Sequence, residues 1–209
     1  MPSNNYCTSD EIKRHAQIDY EDLGYSSDAT FVTAISAMIA IAESLVENFC
    51  NAPDGFFASG TTGYTVTQEI QNWREDGLIF TRYRPINSVT TVEYDAAGYQ
   101  QSADWTAVTS TDYIAHLQKG IIQFVADVPG HPEQSIRLTY VAGWATAPDP
   151  VKWATIQIVC NVLHDMVQRK MSPTVRVDDW TIRIVRPEFF PPELKTLLGP
   201  YIVPSVSTG

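Results

Sequence analysis

At 209 residues, with 44% hydrophobic and 18% charged side chains, the chain can bury a sizeable core and fits one domain, or one domain carrying an insertion. Its formal charge of −10 argues against gripping nucleic acid from outside, because that affinity rests on Lys and Arg neutralising phosphates. It suits instead a wall along which a polyanion slides without sticking.

The first residues, MPSNNYCTSDE, hold no basic region followed by an apolar run, which predicts a protein made and kept in the cytoplasm. Thr8-Ser9-Asp10-Glu11 matches a capping box and predicts a short helix to about Gln17, followed by an acidic, Gly-containing loop. From Asp28, residues Phe31, Ile35, Met38, Ile39, Ala42, Leu45, Val46 and Phe49 recur at helical spacing and predict a core helix of about five or six turns. Ala34, Ala37 and Ala40 lie between them and would let another helix approach closely, in the same subunit or in a neighbour. The longest uncharged stretch, Ala29 to Ala42, is shorter than the roughly 20 residues a bilayer requires, so no membrane role is expected.

Asn51 to Thr65, rich in Gly, Ser, Thr and Pro, reads as a long loop. Strands are predicted over Tyr64–Gln71, Leu78–Tyr83, Val89–Tyr94, Trp105–Val108, Tyr113–Leu117, Ile121–Val125 and Ser135–Val141, in a compact antiparallel sheet or barrel. In the last of these, Ile136, Leu138 and Tyr140 share one face. Pro148 and Pro150 then punctuate a turn, Asp149 is placed to cap, and a second core helix follows with Ile156, Val159, Cys160, Leu163, Met166 and Val167 on its apolar face. Val175–Val177 and Thr181–Val185 are further strand candidates. Pro191 and Pro192 introduce a brief helix, Glu193–Leu198, before Gly199-Pro200 and the tail.

Little in the chain carries chemistry. Cys7, Cys50 and Cys160 are odd in number and lack a CxxC pair, so neither a disulfide framework nor a zinc knuckle is indicated, and a reducing compartment fits. His15, His116, His131 and His164 show no metal-ligand spacing, and no nucleotide-binding loop or nucleophile elbow occurs. The acidic pairs Asp10-Glu11, Glu21-Asp22, Glu75-Asp76 and Asp178-Asp179 read as solvated turns and helix starts rather than as facing catalytic carboxylates. Trp73, Trp105, Trp144, Trp153 and Trp180 are scattered along the chain, which suits packing or interfaces better than one stacking platform. No enzyme activity, cofactor or metal is expected.

Four stretches, YCTSDEIKRHA (Tyr6–Ala16), AESLVENFCNA (Ala42–Ala52), LIFTRYRPINSVTTVEYDAAG (Leu78–Gly98) and LTYVAGW…PDPVKWATIQIV (Leu138–Val159), occur in an order that resembles the head–tail connector (adaptor) proteins of tailed bacteriophages. ELKTLLGPYIV near the end resembles that family's terminal helix, with Ile202 where an Arg is often found. The resemblance implies an α+β fold: a single connector domain over 1–209, a helical core of two long helices plus shorter ones, an antiparallel β insertion over 64–141, and a C-terminal docking segment over 187–209. It also implies a non-enzymatic virion subunit of the neck, made in the host cytoplasm. Such a subunit would form a homo-oligomeric ring, a dodecamer, between the portal protein and a stopper or tail-completion protein. The ring would enclose genomic DNA that passes without tight binding, a role the exposed-type acids Glu21, Asp22, Glu75 and Asp76 suit. Phe190, Leu194, Leu197, Leu198 and Tyr201, at i, i+4, i+7, i+8 and i+11, are the expected portal-docking stripe. The alternatives are that this stripe folds back on its own core, that the chain is another neck or tail-completion protein, or that it is a carbohydrate-binding β module.

Overall fold

The computed structural model describes residues 6–58, 60, 63–98, 105–125, 133–171 and 190–204. Its helices are α1 (Ser9–Ala16), α2 (Tyr20–Leu23), α3 (Asp28–Phe49), α4 (Asp149–Met171) and α5 (Pro192–Leu198). Its strands are β1 (Tyr64–Gln71), β2 (Leu78–Phe80), β3 (Ile86–Tyr94), β4 (Thr106–Ala107), β5 (Tyr113–His116), β6 (Ile121–Phe124) and β7 (Ile136–Ala142). The fold is α+β, and the chain divides into a helical unit, Met1–Asp54 with Ala147–Ile202, and a β unit, Gly55–Thr146 with Val203–Gly209. The strand candidates Val175–Val177 and Thr181–Val185 lie outside the described residues.

In the helical unit the predicted capping box forms. The Thr8 hydroxyl accepts from the Glu11 N–H at 3.2 Å, and the Glu11 carboxylate accepts from the Thr8 N–H at 2.9 Å. The acidic loop contains α2, one turn capped at Asp19 and ended by Gly24 in the left-handed region. Four residues are too few for periodicity to reveal.

α3 buries Phe31, Ile35, Ile39, Ala42 and Val46 as expected, whereas Leu45 is 44% exposed. Glu43 and Glu47 are buried instead, because the Tyr6 N–H donates to Glu43 at 2.8 Å and the Tyr6 hydroxyl donates to Glu47. A hydrophobicity stripe cannot foresee a carboxylate whose burial is offset by such donors. By length and composition alone α3 could cross a membrane, with a best-window mean hydropathy of 1.8. Here its inner face packs on α1 and α4.

α4 touches α1, α2, α3 and α5. Its first half is therefore buried almost all round: Val151, Ala154 and Ile158 are covered as well as Ile156, Val159, Cys160 and Leu163. Met166 and Val167, predicted for the same face, are only half-buried. The Pro148 carbonyl accepts from the Lys152 N–H at 2.9 Å, so Pro148 precedes the helix and Asp149 lies in its first turn. There its charge still favours the positive end of the helix dipole. Lys152 pairs with Glu11, holding the Glu11 carboxyl below its ordinary range, and Lys170 donates to the backbone carbonyls of Glu21 and Asp22.

The β unit holds two antiparallel sheets rather than the single sheet or barrel expected, in the orders β1-β7-β3-β4 and β2-β6-β5. β7 lies between β1 and β3. Its Ile136, Leu138, Tyr140 and Ala142 point inward, as the alternation predicted for the first three. The segment Leu78–Tyr83 leaves the strand after Phe80, where Thr81 donates its N–H to Gly120 at 2.9 Å.

Tyr140 anchors this unit. Its hydroxyl donates to Glu69 on β1 and accepts from the Tyr83 N–H at 3.2 Å, while Glu69 also accepts from the Arg82 N–H at 2.9 Å. Burial, then the Glu69 charge, pushes the phenol well above its ordinary range and keeps it a donor. Tyr140→Phe leaves a carboxylate and an N–H short of a partner, so urea denaturation should read a loss of about 1–3 kcal/mol.

All three cysteines are buried and free. Burial pushes the Cys7 and Cys50 thiols up to about 12 and Cys160 up to about 11. The thiolate is the nucleophile, so at about pH 8 the folded protein should resist alkylation at all three, and urea should expose them. Mass spectrometry of iodoacetamide-treated samples checks this.

Candidate interaction surfaces

The C-terminal stripe divides. Phe190, Leu194 and Leu198 are four residues apart and share one face, which turns inward: Leu194 and Leu198 are buried and the Phe190 ring meets Phe49 at 4.9 Å. α5 packs on α4. Leu197 and Tyr201 fall to the side of that face and are half-buried. The five residues therefore do not form one outward stripe, because three of them complete the core of their own helical unit. Helices this short are marginal alone, and burying two leucines is what fixes this one.

The surface left open lies between α3 and α4. Met38, Ile41, Ala42 and Leu45 meet Ile158, Val159 and Val162 around a groove of about 240 Å³. Ile41 is 63% exposed, although it stands outside the stripe read from the sequence. Beyond Asp28 the only charges on α3 are Glu43 and Glu47, and both face Tyr6, so the outer side carries none. Of Ala34, Ala37 and Ala40, the small residues read as allowing close approach of another helix, none lines this groove; Ala37 is exposed and the other two are half-buried.

On the β unit, Ile79, Ile122 and Phe124 are buried beneath the three-stranded sheet. Its other face pairs Phe80 with Ile121 and Ile121 with His116, and carries Ile114; Phe80 and Ile114 are each 49% exposed.

Two of the histidines are engaged in side-chain contacts. His15 meets Trp153 edge-on at 5.3 Å, His116 bonds Gln123 at 3.0 Å, His164 is exposed, and His131 lies outside the described residues. Trp73 packs on Phe124 and Trp105 lies under Arg137, so the tryptophans form no common platform among the described residues; Trp180 is outside them. Among the described residues no three His, Cys, Asp or Glu side chains are grouped to hold a metal. Asp10, Glu21, Asp22, Glu75 and Asp76 are exposed, with Arg74 holding the Asp76 carboxyl below its ordinary range, and Asp178-Asp179 lies outside the described residues.

The family model for head completion proteins matches residues 8–201. The chain belongs to the head completion protein family. As a head completion protein it is a structural subunit of the neck, where phage head and tail are joined, and the family is not a class of enzymes. Two solved chains also align over 100% of this chain and 95% of their own length. One is from the neck of an empty GTA particle computed with C6 symmetry, at 14% identity and a TM-score of 0.49. The other is from the neck of a native GTA particle computed with C12 symmetry, at 15% identity and 0.46. A search of curated proteins returns no match.

If α5 completes its own core, Leu198→Ala should cost about 2–5 kcal/mol of unfolding free energy, and Leu197→Ala well under half as much. Chemical denaturation of the two variants side by side measures the difference.

Proposed function

We propose that this head completion protein works as an adaptor ring of twelve copies, the number that the adaptor resemblance implies, closed below the portal and around the DNA channel. It catalyses no reaction and is made in the host cytoplasm before joining the virion. Its neighbours are the portal on one side and a stopper or tail-completion protein on the other, with DNA passing through without tight binding. The observation that carries the reading is the charge-free outer side of α3, with its apolar α3/α4 groove, in a family whose members are assembly subunits.

A second copy is the occupant proposed for that groove. Fully burying an Ile or Leu side chain is worth roughly 1.5–3 kcal/mol, and association must also offset lost translational and rotational freedom. Many weak contacts closing together on a portal template meet that cost, so free subunits can remain monomeric. The portal contact of the C-terminal segment is proposed to use Leu197, Tyr201 and Ile202, since Leu194 and Leu198 are committed inside.

Ile41→Glu combined with Leu45→Glu tests this. Both side chains are exposed, so the melting temperature should stay within a few degrees, while assembly with portal, followed by light scattering and electron microscopy, should be lost. A variant that assembles as the wild type does would overturn the role given to the groove. A wild-type protein that never forms rings with portal would overturn the ring.

A further inference from the structure

Five of the described cations belong to the β unit, and two are paired there: Arg74 with Asp76 at 2.8 Å and Arg137 with Glu93 at 2.7 Å. Arg82, Arg84 and Lys119 are exposed and form no ion pair among the described residues. The fold brings them together. Thr81 donates its N–H to the Gly120 carbonyl at 2.9 Å, and its hydroxyl lies 3.1 Å from that same oxygen and from the Tyr83 carbonyl. Gly120 has φ of +66°, and a Cβ there would fall 2.8 Å from the Thr81 hydroxyl and 3.0 Å from the Arg84 Cβ. Only glycine allows the two turns to meet so closely, and their meeting sets Arg84 beside Lys119. Arg82 lies over the Tyr83 ring at 5.2 Å.

Three uncompensated cations in a chain with 24 acidic and 14 basic residues point to an anionic partner. Nucleic acid is the poorer fit. A phosphate cradle sets hydroxyls and N–H groups among its cations, and those of Thr81 are already spent on carbonyls. Exposed Phe80 and Leu117 adjoin the cluster, and Arg with aromatic and aliphatic neighbours is the composition of a protein interface. The helical unit carries a matching surface at α2, where Asp19, Glu21 and Asp22 are exposed. Lys170 approaches α2 through the carbonyls of Glu21 and Asp22 and pairs with neither carboxylate; the Asp22 carboxylate accepts from the Asp19 N–H at 2.9 Å and that of Glu21 from the Tyr20 hydroxyl at 3.0 Å, and both residues remain exposed. A head-to-tail ring requires two different, complementary patches on every subunit.

We propose that Arg82, Arg84 and Lys119 of one copy dock on the acidic α2 corner, Asp19, Glu21 and Asp22, of the next copy. The inference rests on the ring reading and names the charges that set its direction.

The test uses two full-length variants: one with Arg82→Glu, Arg84→Glu and Lys119→Glu, the other with Asp19→Lys, Glu21→Lys and Asp22→Lys. Each alone should assemble on portal about tenfold less than wild type at low salt, because its two docking patches then repel. Mixed in equal amounts, the two should recover assembly as alternating copies. Without portal, native mass spectrometry should detect mixed pairs of the two variants in preference to pairs of either alone, a readout that does not require a closed ring. Reversals that leave assembly unchanged, or a mixture that neither recovers nor forms mixed pairs, would overturn the inference while a wild-type ring still stood. Loss of binding to a short DNA duplex by the first variant, with assembly intact, would overturn it in favour of nucleic acid. Failure of the wild type to form rings, with mixed pairs still present, would overturn the ring and keep the contact.

Discussion

Tyr6 decides which way α3 faces. Its backbone N–H and its hydroxyl hold Glu43 and Glu47 inside the helical unit, and at about 100° per residue that places Ile41 and Leu45 some 160° away, toward the outside. Turning the helix by about half a turn would bury the two aliphatic side chains and release two carboxylates to water. Burying a carboxylate is costly unless its lone pairs are met, so these bonds are what make the inverted arrangement stable. The groove between α3 and α4 follows from it, and with the groove the surface proposed for assembly.

α4 takes the central place in the same unit because its first half has few residues that demand water. Val151, Ala154, Ile158, Val159 and Leu163 are all buried, and the helix packs against α1, α2, α3 and α5. α5 closes the remaining side with Leu194 and Leu198. A segment whose sequence suggests docking elsewhere is thereby recruited to the core, since packing on α4 removes those leucines from water.

The β unit is organised around β7 and the Tyr140–Glu69 bond in a comparable way. A buried phenol and a carboxylate tie β1 and β7 to the loop that carries Arg82 and Arg84, and the Thr81–Gly120 contact ties that loop to the turn carrying Lys119. The charges on the surface thus owe their positions to polar contacts beneath them. An acidic chain can present a basic face in this way, which its net charge conceals.

Local signals determined much of this protein. The Thr8–Glu11 capping box, the long apolar helix from Asp28, the alternation of Ile136, Leu138 and Tyr140, and the Pro191-Pro192 helix start are each set by interactions within a few residues, and the structure keeps them. The ordered stretches that resemble the adaptor family were legible for the same reason, and the head completion family match agrees with them. Tertiary structure alone decided the rest: that two glutamates of α3 face inward and Ile41 outward, that the described strands divide into two sheets, that Leu194 and Leu198 turn inward while Leu197 does not, and that the turn carrying Arg84 meets Gly120, next to Lys119. Each of these depends on a partner far away in sequence, such as Tyr6 for Glu43 or Gly120 for Thr81. A pattern of hydrophobicity records how much surface a segment must bury, but the partner that covers it is chosen only when the chain is folded.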